Sequence, residues 1–492
     1  YMKTQQSQVL AFLLTKNSPS SVAYARAVSH LRQLADCFDC SLVEHRKFGW
    51  QLLLCYRGEI AKLKKEDGHG LAVCIGPTST QAQSGHDNTL VETTPHKVRD
   101  RFLYLKLSAE ELNITTDYAG TIPCFYSTRA PFSASNIEPL VVLDSGSRLD
   151  DIDTSAMYAF LRYSHFLWNR TLFRHVRMQE PDSRYTWDSG DDRVPDVEPT
   201  RTYLKTVKGS DSRCGMRDAL VAREAFDLNQ KLVTTALSSQ AGVVLPLSSG
   251  YDSRMILVAL AESKALRERL FAATYGPWGS IEVKAAERLC HKFSVRWERV
   301  GLPLRFLERR YLERIGLVFG SSLHFHGMYQ MEFADVLRPH LAGGVLTSGF
   351  MTGVPAGQHV SLLGIREKSP VLNRAMNRFS QSRSWTDDDL YGLCSRFKPA
   401  MLDDVETEFH MAFDRFEGSI VHKSIMLDVW TRQRNWISYY PRTMEWYAPH
   451  ISPHMCPEYV NFFLSLSERH LTDRRAVELM FRFFYRKAAG IP

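Results

Sequence analysis

The chain has 492 residues, 44% of them hydrophobic and 23% charged, with 61 Lys and Arg against 54 Asp and Glu. This length exceeds what one hydrophobic core usually organises, which favours two domains, and the ordinary composition excludes a fibrous or wholly disordered chain. The net charge of +7 is dispersed among acidic residues, so nucleic acid is not an expected partner, and no apolar run approaches the roughly 20 residues of a membrane span.

Nine cysteines at irregular spacing, with one left over from any pairing, read as reduced thiols of a cytoplasmic protein. Cys37 and Cys40 form a lone Cys-x-x-Cys without a second ligand pair, so no metal is assigned to them. The first residues lack the basic start and apolar stretch of a signal peptide.

In chain order, short apolar runs separated by turn clusters predict strands over Val9 to Leu14, Trp50 to Tyr56, Gly70 to Ile75, Phe102 to Leu107, Leu112 to Thr115 and Pro123 to Ser127. Helical spacing appears at Ser20 to Asp36 and Thr154 to Tyr163, and Gly76 to Asn88 has the composition of an exposed loop. From Gln179 to Ser212 the weak apolar content suggests a connection between domains, with the boundary near residue 205. The pattern then changes to a helix from Arg217 to Ser239, a strand Val243 to Leu247, a Ser/Gly turn and a helix from Arg254 to Lys264. A strand Leu270 to Tyr275 and a helix Ser280 to Phe293 follow. Strands alternating with helices predict a parallel, doubly wound sheet. From about Asp387 the chain reads as helical, with spacing clearest in Tyr459 to Leu466 and Val477 to Tyr485.

The segment Leu247-Ser248-Ser249-Gly250-Tyr251-Asp252-Ser253, between a strand and a helix, has the makings of an anion site. Small residues let backbone amides approach a phosphate at the positive end of a helix, and the hydroxyls of Ser248 and Ser253 can donate to phosphate oxygens. Asp252 would repel a phosphate unless a magnesium ion lay between them, so the motif suggests ATP together with Mg2+. On composition alone the same residues also read as a Ser/Gly turn with Asp252 capping a helix. No Lys follows, which separates the loop from the Gly-x-x-x-x-Gly-Lys type.

Ser248-Ser249-Gly250-Tyr251-Asp252-Ser253 resembles the pyrophosphatase loop of class B asparagine synthetases, β-lactam synthetases and lasso-peptide cyclases. Thr274-Tyr275-Gly276, Glu282 and Ala285-Ala286 look like the next strand and helix of that family. Leu112 to Pro123 resembles a strand and turn of its glutaminase domain, and Glu445-Trp446-Tyr447-Ala448-Pro449-His450 is similar to its C-terminal Glu-x-Arg-x-Pro-Phe motif. The resemblance implies an α+β, Ntn-hydrolase-like sandwich over residues 1–205. It further implies an α/β, adenine nucleotide alpha-hydrolase-like domain with a helical C-terminal part over 206–492. It places Leu247, Ser248, Ser249, Gly250, Asp252, Ser253, Thr274, Tyr275 and Gly276 at ATP, Asp252 at magnesium, and Asp252, Arg254 and Glu445 in catalysis.

Two departures shape the expected reaction. The family's glutaminase begins with a cysteine nucleophile, whereas no cysteine precedes Cys37, so a substrate amine or free ammonia is expected in place of glutamine. The family's Ser-Gly-(Glu or Tyr)-Gly-x-Asp stretch reads here Ser348-Gly349-Phe350-Met351-Thr352-Gly353, where Phe350 cannot move a proton and Gly353 cannot bind a metal. His324, His326 and His359 are candidate bases, and Arg432, Arg434, Arg442 and Lys487 are candidates to neutralise pyrophosphate, each also readable as a structural residue. The expectation is an ATP-dependent ligase joining a small-molecule or peptide carboxylate to an amine through an acyl-adenylate, in a biosynthetic setting with a potential partner protein. An inactive synthetase-fold scaffold and an RNA-modifying enzyme with the same loop are the alternatives.

Overall fold

Strand Gln8–Thr15 is buried at every position, because it is covered on both faces. Val9, Phe12 and Leu14 join Leu52, Val73, Leu105 and Ile114 in one core, while Leu10, Ala11 and Leu13 pack with the helix Val22–Phe38 in another. These faces belong to a computed structural model that describes residues 7–59, 64–66, 70–77, 100–188, 195–200, 216–322, 328–341, 343–360 and 385–489. Two sheets organise the described residues. The first has twelve strands, the last of them Asp196–Pro199, and folds over the core beside Gln8–Thr15.

The turn after strand Glu111–Thr116 is pinned by the buried Asp117, whose carboxylate accepts from Ala119 N at 2.9 Å and Thr121 Oγ1 at 2.8 Å. The predicted interdomain connection is corrected in part. Strand Ser183–Asp188 pairs with Glu111–Thr116, and Asp196–Pro199 pairs with Ser183–Asp188. Only Ser183, Tyr185 and Trp187 face inward on the former, and with Ser183 polar just two apolar residues carry the period-two signal. Residues 189–194 and 201–215 lie outside the described residues, as does most of the Gly76 to Asn88 loop.

The second sheet has five parallel strands in the order Arg296–Val300, Leu270–Tyr275, Val243–Pro246, Val345–Thr347, His450–Ile451. Numbered along the chain this order is 3-2-1-4-5, so the first and fourth strands are neighbours and the chain winds in opposite directions from them. The crevice outside the carboxyl ends of those two strands is where open α/β sheets place ligands. Helix Tyr251–Ala261 packs beneath it, with residues 253–261 all buried. Its Met255, Ile256, Leu257, Val258 and Leu260 each gain about 1.5–3 kcal/mol from leaving water, before ordering costs.

The C-terminal part is helical, as expected, and includes a π-helical stretch, Val429–Ile437. This stretch grips the first half of the chain. Asn435 Nδ2 donates to Phe166 O at 2.8 Å, Arg434 Nη1 donates to Asn169 Oδ1 at 3.0 Å, and Trp430 Nε1 donates to Tyr118 O at 3.1 Å. Wide turns of this kind are rare and often mark functional places.

Candidate active site

Pro246 ends the first strand of the parallel sheet, and Leu247 N still donates to Ala273 O at 2.8 Å, so the loop leaves the sheet in a fixed direction. The helix starts at Tyr251, three residues earlier than predicted, with Gly250 as its N-cap. Asp252 and Ser253 therefore stand in the first helical turn, not in the loop. Ser253 Oγ accepts from Ser248 N at 3.1 Å, and Ser248 Oγ accepts from Gly250 N at 3.2 Å. The two hydroxyls lie 3.0 Å apart. That contact uses one of their two protons, which leaves the other available to a phosphate oxygen.

Neighbouring elements hold the loop. Thr274 Oγ1 donates to Leu247 O at 2.8 Å and accepts from Trp297 Nε1 at 3.0 Å. Glu282 accepts from Ser249 N at 2.5 Å, at the start of helix Ile281–Phe293. Arg254 is buried beneath, donating to Ser249 O at 2.5 Å and to Ala488 O at 2.9 Å. It braces the loop from behind.

Across the switch point, Ser348, Gly349 and Phe350 follow strand Val345–Thr347 and line a cleft of about 410 Å³. Leu247, Ser248, Asp252, Ser253, Thr274 and Tyr275 line it from the predicted set, joined by Glu282, Tyr329, Gln330, Ile437 and Tyr440. Ser249 and Gly250 shape the turn without lining the cleft, and Gly276, at φ +141°, offers its carbonyl to Arg299. The approach is close. A Cβ on Gly349 would fall 2.5 Å from Asp252 C and 2.6 Å from its Cβ.

Gly353 abuts the carboxylate. A Cβ there would meet the Asp252 oxygens at 2.8 and 3.0 Å and Gln358 Oε1 at 2.2 Å. The room a second carboxylate would use is taken by Gln358 and Asp252 itself. Burial pushes Asp252 up to about 6, and Arg474 opposes the shift with Nη1 3.7 Å from Asp252 Oδ1. Arg474 also lies over the Tyr251 ring, 5.2 Å from its centroid. Both Asp473 and Arg474 have left-handed backbone, φ +55° and +58°, which costs about 1–2 kcal/mol per non-glycine residue. Nothing in the sequence distinguishes Arg474 from the other arginines around it.

Glu445 does not line the cleft. It is buried in an ion pair with Arg101, whose Nη2 also donates to His450 O at 3.1 Å, and lines a small chamber with Val9, Gly76, Asn136 and Arg442. Burial raises its carboxyl, and Arg101 pulls the other way. Among the described residues no Cys, Ser or Thr lines that chamber.

The remaining candidates divide. Arg434 is bound to Gln179 O and Asn169, Arg442 packs over Phe319 and Tyr439, and Arg432 packs over Trp436. Lys487 is exposed. Buried His359 pairs through Nδ1 with Asp428, to which Gln433 also donates at 3.4 Å. His324 and His326 lie outside the described residues. Among those described, no three His, Cys, Asp or Glu side chains form a metal cluster, and no helix is long and apolar enough to cross a membrane.

The chain matches no protein-family model and no curated protein. Among solved structures it is similar to an ammonia-dependent NAD synthetase from Campylobacter jejuni, at 16% identity over 42% of this chain and 99% of that one, with a TM-score of 0.21. It is similar to a U34-tRNA thiolase from Methanococcus maripaludis at 13% identity, 45% and 80% coverage, and a TM-score of 0.22. A glutamine phosphoribosylpyrophosphate amidotransferase from B. subtilis aligns at 8% identity, 59% and 80% coverage, and a TM-score of 0.26. Likenesses of this size leave the reading of function to the cleft itself.

Proposed function

We propose that the protein is an ATP-dependent carbon–nitrogen ligase that activates a carboxylate as its acyl-adenylate, in the manner of asparagine-synthetase-like enzymes. The observation that carries this reading is the facing of two turns across the switch point. The Ser248 to Ser253 turn offers hydroxyls at a helix start, and the Ser348-Gly349 turn closes to within van der Waals reach of Asp252. The substrate carboxylate attacks the α-phosphorus of ATP and pyrophosphate leaves. A substrate amine or ammonia then attacks the acyl carbon, AMP departs, and a base takes the amine proton.

In this scheme the hydroxyl of the Ser248–Ser253 pair that keeps its proton donates to the triphosphate, while Thr274, Glu282 and Arg254 fix the loop that carries it. Fixed donors at the point where charge develops supply the largest stabilisation. Asp252 fits a magnesium site of one protein carboxylate completed by phosphate oxygens, where the metal would offset negative charge. Asp428, accepting from His359 Nδ1–H, leaves Nε2 as the free lone pair of a candidate base. Neighbouring Gln358 reaches Gly353 beside the Asp252 carboxylate.

Phe350 and Gly353 favour one second reading, a binding protein that retains the cleft without turnover. Carboxylate-dependent exchange of labelled pyrophosphate into ATP separates the two. Exchange with any member of a carboxylate pool supports the ligase; nucleotide binding without exchange supports the second reading. Release of ADP and phosphate would rule out the adenylate chemistry. We also place the domain boundary near residue 205 and the protein in the cytoplasm, with a small-molecule or peptide carboxylate, its amine and a pathway partner as binding partners.

A further inference from the structure

The cleft sets two carboxylates, Asp252 and Glu282, beside the place of a polyanionic triphosphate. Such a site needs a resident positive charge, and most arginines near it are committed elsewhere. Arg254 serves two backbone carbonyls behind the loop, and Arg299 donates to Gly276 O while packed over Trp278. Arg474 is placed differently. Its side chain is 24% exposed, its guanidinium rests on the first ring of the loop's own helix, and it forms an ion pair with Asp252. Two successive left-handed residues, Asp473 and Arg474, turn it toward that place at the entry to helix Arg475–Phe483. Backbone strain of this kind persists where the surroundings enforce it.

Resting on the ATP reading above, we propose that Arg474 is the site's built-in counter-cation, paired with Asp252 while the site is empty and turned onto the pyrophosphate end of ATP when nucleotide binds. The 3.7 Å separation from Asp252 is a charge contact without a tight bidentate geometry, so it can be exchanged for phosphate oxygens, which guanidinium engages in pairs. Arg474 and a divalent metal then compete for Asp252. Binding consequently depends less on metal than a loop with one carboxylate otherwise would.

The test is calorimetric titration of a non-cleavable ATP analogue into the full chain, in EDTA and in magnesium. Wild type is expected to bind in EDTA within about tenfold of its magnesium affinity. Arg474→Gln is expected to lose at least tenfold in EDTA and to recover part of the loss in magnesium, while Arg474→Lys stays near wild type. Asp252→Asn, which frees the guanidinium, is expected to bind in EDTA at least as tightly as wild type. Equal EDTA affinities for wild type and a folded Arg474→Gln would overturn the proposal and leave the ATP reading standing. Weaker EDTA binding by Asp252→Asn would also overturn it. Wild type silent in both conditions would remove the ATP reading and this inference together.

Discussion

Replacing Glu445 with Ala separates a structural role from a catalytic one. Arg101 is fully buried, and the Glu445 carboxylate is its closest counter-charge; Asp100 Oδ1 stands 3.9 Å from Arg101 Nε. Deleting Glu445 leaves a buried guanidinium without its closest counter-charge, and breaking a buried pair from one side costs about 3–5 kcal/mol. Urea denaturation should show an unfolding free energy lowered by that amount, through a lower midpoint at an unchanged slope. The double change Arg101→Met with Glu445→Ala should recover part of it, because no buried charge is then orphaned. Since Glu445 lies in a chamber separate from the cleft, affinity for an ATP analogue should change by less than about threefold, under 1 kcal/mol. A variant of native stability that has lost nucleotide binding would refute this reasoning and return Glu445 to the reaction.

Asp252, pushed up to about 6, takes up a proton as pH falls through that value, so the magnesium-dependent gain in affinity should be full above about pH 7 and vanish near pH 5; Asp252→Asn should lack both gain and pH dependence. Gly349→Ala forces a methyl against the Asp252 backbone and should abolish nucleotide binding, whereas Gly250→Ala, whose Cβ meets only Ser248 Oγ at 3.3 Å, should bind within a few-fold of wild type. Burial raises Asp100 and Glu138 to about 7 each, so the folded state holds protons that the unfolded chain releases near pH 4. Their contribution is present below pH 4 and lost as pH rises to 7, and denaturation midpoints should show a shallower decline over that window in Asp100→Asn and Glu138→Gln. Ser253→Ala removes the acceptor of the half-buried bond from Ser248 N and should cost about 0.5–1.5 kcal/mol in stability, read by the same denaturation.

The parallel sheet and its loop were legible because their signals are local. Val243 to Leu247 is an unbroken apolar run, Leu270 to Tyr275 repeats it, and Ser/Gly residues followed by helical spacing mark the turn between strand and helix. The edge strand Ser41–Lys47 was not legible, since polar residues such as His45 and Lys47 occupy its inward positions and the burial alternation has no apolar counterpart. The same holds for Arg296–Val300. Within the site, Ser248, Asp252, Ser253, Thr274 and Tyr275 could be named from motif and neighbourhood, but Tyr329, Gln330, Ile437 and Tyr440 reach the cleft only through tertiary packing. Glu445 shows the reverse: its motif is readable, while its engagement by Arg101 depends on a contact 344 residues away in the chain.

The ligase reading requires a live nucleotide site, and the most direct measurement is calorimetric titration of a non-cleavable ATP analogue into wild type and Asp252→Ala, with and without magnesium. Binding in wild type that magnesium strengthens, with the magnesium gain lost in Asp252→Ala, is the predicted result. Folded wild-type protein that takes up no analogue under either condition would contradict the account.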